Sequence, residues 1–297
     1  MDRLTEHAAL LTLLRGRRRQ WGHVADEVEE AGSALRVLEA DTNTDQGDLF
    51  EGFSDGIGAA LDTARETLLG WDAQGIRIVT LLDADYPAQL LTVHQRPPFL
   101  FFRGQMSPDD ATGVAVVGTR SASTEGLRRA DEIAAGLARR GRVVVSGLAA
   151  GIDTVAHRAA LREGGRTVAV IGTGLLKSYP KENAPLQEKL AREQLVLSQF
   201  WPDSPPTRTS FLMRNGVMSG YAAATVVVEA PEKSGARTQA RLALEHGRPV
   251  FLLDTVLVHA WAQEYAHRPG VTVVSSAEEV LNLLDDLTVP PDEVVWS

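Results

Sequence analysis

Residues 114–126, VAVVGTRSASTEG, run an apolar stretch into Gly118, follow it with Thr119 and Arg120, and then read as a helix start. A glycine there permits close backbone approach, Ser and Thr can cap the next helix, and Arg120 supplies a planar cation. Backbone N–H groups at a helix start beside an arginine suit a phosphate. The plainer alternative is a tight turn carrying a solvated arginine.

The pattern recurs along the chain. In VVVSGLAAGIDTVAHRAAL, residues 143–161, Ser146 and Gly147 repeat the step from apolar run to small residue, and Gly151 stands ahead of a helix. Asp153 and His157 lie four residues apart on one helix face. No third ligand accompanies them, so they read as a helix-start carboxylate linked to a histidine, and no metal is expected. In TVAVIGTGLLKSYPKEN, residues 167–183, Gly172 and Gly174 flank a threonine at a run's end, and Lys177 and Lys181 bracket a Tyr-Pro turn. A solvated lysine pair is the plain reading of the two.

Further on, Arg214 and Asn215 fall at or near a helix start in FLMRNGVMSGYAA, Glu229 ends an apolar run, and Ser234-Gly235 opens an amphipathic helix. No Ser–His–Asp order, nucleophile elbow or P-loop spacing appears, so the site is expected to bind rather than catalyse, and no cofactor is expected. Gly118, Gly147 and Gly172 are expected to let a phosphate-bearing ligand lie along one crevice, with Arg120 pairing a phosphate.

The elements that must position these residues follow from periodicity. The apolar runs at 114–117, 143–146, 167–172, 195–199, 225–230, 249–253 and 271–274 are continuous rather than alternating, which marks strands buried on both faces. Mostly separated by helix-length segments, they predict an α/β fold with a doubly wound, mostly parallel sheet that binds ligands at the strands' carboxyl ends. Ahead of them, residues 99–104 read as a strand entered from two prolines, and QMSPDDATG as a linker. The first seventy residues predict a small helical module with a loop at 41–48. The division is 1–70, 71–274 and 275–297, the last a helix and an acidic tail.

Composition bounds the partners. The 297 residues carry a net charge of −9 and no cysteine, which excludes disulfides and thiolate chemistry and fits the cytoplasm. No apolar run approaches a bilayer span, the amino-terminal segment does not read as a signal peptide, and no membrane partner is expected. The charge is uneven: residues 1–113 carry −9, residues 114–250 carry +7 and residues 251–297 carry −7. A basic middle is the footprint a polyanion needs.

In order, GTR, SGLAAGIDTVAH, GTGLLKSYPKEN, RNGVMSG and VVVEAPEKSGARTQA resemble the DprA/Smf family of DNA-processing proteins, and DADYPAQLLTVHQRPPFLFFRG looks like that family's lead-in. The resemblance spans roughly residues 71–253. It implies an extended Rossmann-like domain, a homodimer that binds single-stranded DNA without sequence preference and loads RecA onto it in natural transformation. The family's phosphate-binding residues would fall on Arg120, Ser146, Gly147, Gly172 and Lys181.

This chain departs from the family in carrying Ala150 and Gly216 where arginines are usual, Gln199 where a carboxylate is usual, and Leu253-Asp254 in place of Pro-Gly. Two missing arginines remove about 1–2 phosphate contacts. They leave open a nucleotide-sensing module in a stress or anti-phage system, or a nucleoside-monophosphate phosphoribohydrolase with Glu229 as acid or base. The run at residues 15–19 reads as a solvated helix end. Trp21, Trp71 and Trp201 read as core caps, with Trp201 the best placed of the three to stack on a base.

Overall fold

Long amphipathic stretches and continuous apolar runs sort as their periods demand. In the computed structural model, which describes residues 2–16, 21–44, 53–94 and 96–286, four helices come first: α1 (Arg3–Gly16), α2 (Trp21–Ala31), α3 (Ala34–Thr44) and α4 (Phe53–Asp72). Then follow β1 (Arg77–Thr80), α5 (Ala88–Leu91), β2 (Phe99–Gly104), β3 (Val114–Gly118), α6 (Thr124–Arg139), β4 (Val144–Ser146), α7 (Ile152–Arg162) and β5 (Thr167–Val170). The chain continues through α8 (Ala184–Glu193), β6 (Leu195–Ser198), α9 (Arg208–Tyr221), β7 (Ala224–Glu229), α10 (Gly235–Glu245), β8 (Val250–Leu253), α11 (Ala260–Tyr265), β9 (Val271–Val274) and α12 (Ala277–Asp286).

The strands form one sheet in the order β1-β2-β6-β5-β4-β3-β7-β8-β9. Strand β2 runs antiparallel to β1 and β6, and every other neighbouring pair is parallel. This is the expected extended Rossmann-like, doubly wound α/β fold with a helical amino-terminal module. From β3 the chain winds outward through β4, β5 and β6, then returns to start β7 on β3's other side. The switch point therefore lies at the carboxyl ends of β3 and β7, where such sheets open a crevice. Right-handed crossovers put α6, α7 and α8 on one face and α9 and α10 on the other.

The helices are held by their buried stripes. In α6, Ala130, Ile133, Ala134 and Leu137 recur at helical spacing and are buried. Helix α12 returns to α6, where Leu281 fills the space that Gly136 leaves open. Among the described residues no helix is long and apolar enough to cross a membrane.

Three local expectations change. QMSPDDATG is a structural turn rather than a linker: Ser107 caps a 3-10 turn over Pro108–Thr112, and Asp110, 2% exposed, accepts from Arg166 Nη2 at 2.8 Å and from Tyr221 Oη at 2.9 Å. Of the loop expected at 41–48, residues 41–44 continue α3, whose buried face carries it past its polar tail, and residues 45–48 lie outside the described part. Arg15 is not merely solvated. Its guanidinium lies 5.6 Å from the Trp71 ring and 5.1 Å from that of Trp201, while Arg17–Arg19 lie outside the described residues.

Those rings belong to a cluster in which Trp201 packs against Phe99 at 5.1 Å, Phe101 at 6.0 Å and Trp71 at 6.3 Å. Trp201 is thereby committed to joining the amino-terminal helices to the sheet. Such pairs stabilise by about 0.5–1.5 kcal/mol each beyond buried area.

Candidate nucleic-acid interface

The crevice at the switch point has a rim and a floor. A cleft of about 310 Å³ opens between the end of β3, helix α9 and the start of α10. Gly118, Thr119, Arg120, Arg214, Asn215, Ser234 and Gly235 line it, so seven of the twelve expected site residues meet there. Ser146, Gly147, Gly172, Gly174 and Lys181 do not.

Arg120 stands on the rim, exposed. Its guanidinium lies 5.1 Å from the centroid of the Phe211 ring and 5.8 Å from that of Tyr179, and the two rings are 5.4 Å apart. Aromatic faces thus hold the cation without consuming its N–H donors. Neither ring stood out in the sequence. The only signal was that each flanks an expected site residue, Tyr179 two before Lys181 and Phe211 three before Arg214.

The wider charge pattern points to the same edge. Of the nineteen basic residues between 114 and 250, ten form ion pairs, and Arg214 and Arg248 donate to backbone carbonyls. The remaining seven, Arg120, Arg158, Lys177, Lys181, Arg192, Arg208 and Lys233, have neither a side-chain hydrogen bond nor an ion pair among the described residues. Four of them, Arg120, Lys177, Lys181 and Lys233, sit on the connections that follow the carboxyl ends of β3, β5 and β7, and Arg208 begins α9 after β6; Arg120 and Lys233 line the cleft. Against these five stand two carboxylates, Glu182 and Asp203, on the same connections with no ion pair or side-chain hydrogen bond among the described residues, so the balance of uncommitted charge at this edge is positive.

The floor is different. Arg214 and Asn215 are not at a helix start but midway along α9, each 6% exposed. Arg214 Nη1 donates to the Val170 carbonyl at 2.9 Å, and Asn215 Nδ2 donates to the Gly235 carbonyl at 3.1 Å. Asp153, 4% exposed, accepts from the backbone N–H groups of Gly147 at 3.1 Å and Ala149 at 3.3 Å. Burial pushes its carboxyl above the usual carboxylate range, against the opposing pull of Arg214. Burial likewise pushes the Arg214 guanidinium below its usual range, and Asp153 resists.

His157 is not linked to Asp153. The Thr167 hydroxyl donates to the Val144 carbonyl at 2.8 Å, so it must accept at 2.7 Å from an Nδ1–H of His157. Burial, with the positive charge of Arg214 adding to it, pushes His157 down to about 3.

Ser146 and most of the expected glycines serve packing. The Ser146 hydroxyl is fully buried and donates to the Val116 carbonyl at 2.7 Å. A Cβ at Gly118 would meet Ile152, one at Gly147 Arg214, one at Gly172 the Phe211 ring, and one at Gly174 the Trp201 carbonyl. These glycines make room for the protein itself, whereas a Cβ at Gly235 would meet only Asn215 Nδ2 at 3.9 Å. Lys181 is exposed at the head of α8.

The helix start after Arg120 is also not vacant. Ser123 Oγ caps α6 by accepting from Gly126 N–H at 3.0 Å and donates to a Glu229 carboxylate oxygen at 2.7 Å, and Ser123 N–H donates to the same carboxylate at 3.1 Å. A carboxylate already holds that helix end, so a phosphate is turned away from it and toward α10. There Ser234 caps the helix by accepting from Ala236 N–H at 3.1 Å, and Gly235 and Lys233 line the cleft opposite Arg120. The same bonds engage Glu229, which had been the acid–base candidate.

Known proteins resemble the chain in both sequence and fold. The sequence profile of the family described as DNA recombination-mediator protein A matches residues 77–285. The chain is 35% identical over 260 residues to the DNA processing protein DprA of Streptococcus pneumoniae, covering 83% of this chain and 91% of that one. It is 33% identical over 225 residues to the DNA processing protein DprA of Bacillus subtilis, covering 75% and 76%. The X-ray structure of DNA processing protein A from Streptococcus pneumoniae superposes with a TM-score of 0.66 at 34% identity, over 84% of this chain and 91% of that one. The structure describing the single-stranded DNA binding mode of DNA processing protein A from Helicobacter pylori superposes with a TM-score of 0.62 at 29% identity, over 70% and 96%.

Proposed function

This chain belongs to the DprA/Smf family of DNA recombination-mediator protein A, and on that premise we propose that it binds single-stranded DNA, without sequence preference, along the crevice at the carboxyl ends of β3, β5, β6 and β7. The observation that carries this reading is the gathering of unpaired cations on the connections there, around an arginine held by two aromatic faces. Phosphates pair with Arg120 and Lys233 across the cleft, next to the start of α10, and Lys177, Lys181 and Arg208 extend the cationic track. Binding is the task in this proposal, with no reaction catalysed. Action in the cytoplasm, a homodimer, the loading of RecA and a place in natural transformation belong to the same proposal, as does the division of the chain at residues 70 and 274.

The test is the affinity of a labelled single-stranded oligonucleotide at several salt concentrations, for the wild type and Arg120→Ala. The wild type is expected to bind with a steep salt dependence. The variant should lose about 1.5–3 kcal/mol and show a salt slope smaller by about one unit. Absence of binding by the wild type at low salt would sink the reading. The size of the cleft, about 310 Å³, supports a second one, a small nucleotide as ligand. Stabilisation by a mononucleotide without affinity for oligonucleotides would select it.

A further inference from the structure

A second groove, of about 420 Å³, runs between α7 and α8, lined by Arg158, Leu161 and Arg162 from one helix and Pro185, Leu186 and Lys189 from the other. Three cations line it. Arg158 and Arg162 are four residues apart on α7, about 6 Å along the helix axis, and Lys189 faces them from α8, eight residues after Lys181. At its head stands Lys181, outside the cleft itself: it opens the 3-10 turn Lys181–Asn183 that runs into α8, where Asn183 Nδ2 donates to the Leu148 carbonyl at 2.9 Å and to Thr154 Oγ1 at 2.8 Å.

The neighbouring carboxylates take up only part of the groove's charge. Glu188 is turned to Arg103, at 2.8 Å. Lys189 meets Glu193 only at 3.7 Å, in an exposed pair of the kind that holds weakly. Arg162 is paired with Asp131 at 2.7 Å and with Glu163 at 3.3 Å, and Arg158 has neither an ion pair nor a side-chain hydrogen bond among the described residues.

We propose that this groove carries a second length of the same single strand, continuing the crevice from Lys181 down between α7 and α8. Phosphates lie along the cations, and sugars and bases rest on Leu161, Pro185 and Leu186. The proposal rests on the crevice reading for its first segment, and its test separates the two.

Oligothymidylates of about 6 and about 20 nucleotides, at the short and long ends of the site sizes such proteins use, are titrated against the full chain, Arg158→Glu/Lys189→Glu and Arg120→Ala. The groove variant should bind the long strand about tenfold more weakly, with a salt slope lower by about 2, and bind the short strand as the wild type does. Arg120→Ala should weaken both. Equal loss on both lengths, or no loss on either, overturns the groove. Loss with the groove variant alone sinks the crevice and supports the groove. Unchanged thermal melting shows that the variant folds, and a change of oligomeric state on gel filtration overturns the proposal by assigning the groove to contact between copies.

Discussion

Arg120 and Arg214 line the same cleft, and both were expected to contact phosphate, yet they sit in opposite settings. Arg120 is exposed, held by the rings of Phe211 and Tyr179, and leaves its donors open. Arg214 is 6% exposed, spends a donor on the Val170 carbonyl, and sits in the field of buried Asp153. A guanidinium on the rim is available to a ligand, whereas one in the floor fastens α9 to the strand ends. Residue type alone does not divide the roles; burial does.

The sharpest way to break this comparison is Arg214→Met. Removing the buried guanidinium leaves the Val170 carbonyl without its donor and withdraws the positive charge that opposes the cost of burying Asp153, so stability should fall by about 1–3 kcal/mol in urea unfolding. Asp153→Asn added to it should recover part of that loss, because the carboxyl whose charged form burial disfavours goes with it. The result that would overturn the assignment is a variant that unfolds like the wild type but no longer binds DNA. That outcome would make Arg214 a second rim residue and leave the cleft deeper than its burial indicates.

His157 tests whether the floor behaves as a core. Its ordinary value is 6.5, and the fold depresses it to about 3. Between those values the unfolded chain binds the proton and the native chain does not, so stability rises with pH across this window. As pH falls from about 6.5 toward about 3, the His157 contribution is lost at up to about 1.4 kcal/mol per unit. His157→Gln, which keeps a donor for Thr167, should flatten unfolding free energies between pH 6 and pH 4. An unchanged slope in that variant would place the imidazole in contact with solvent.

Much of this architecture was legible in the sequence, because continuous apolar runs such as 114–117 and 225–230 can satisfy themselves only as strands covered on both sides. That a ligand would lie at the strands' carboxyl ends was legible too, but the strand order that puts the crevice at β3 and β7 was not, and Gly147 and Gly172, expected along it, lie outside the cleft. Commitment was not legible either. Nothing in SGLAAGID reveals that the Ser146 hydroxyl and the Gly147 N–H are taken by Val116 and Asp153. Nothing in GTRSASTEG reveals that Glu229, more than a hundred residues on, fills the helix end it prepares. The roles of Tyr179 and Phe211 are hidden for the same reason, because they depend on contacts with Arg120 that bring together the connections after β3 and β5 and the first turn of α9. Local sequence names the groups present at a strand end, and long-range packing decides which of them remain free.

The smallest expected effect sharpens the rim. Phe211→Leu keeps the apolar bulk beneath Gly172 but removes a π face from Arg120, so affinity for single-stranded DNA should fall about two- to fivefold, the worth of an exposed cation–π contact. The salt slope should stay at its wild-type value, because the guanidinium is still present and still displaces a counterion from the same phosphate. Arg120→Ala, by contrast, should lower the slope. The two changes in one chain should therefore cost little more than Arg120→Ala alone, since the ring acts through the arginine. Full additivity would mean that Phe211 meets the DNA directly, and the clamp would then be a stacking platform that happens to border a cation.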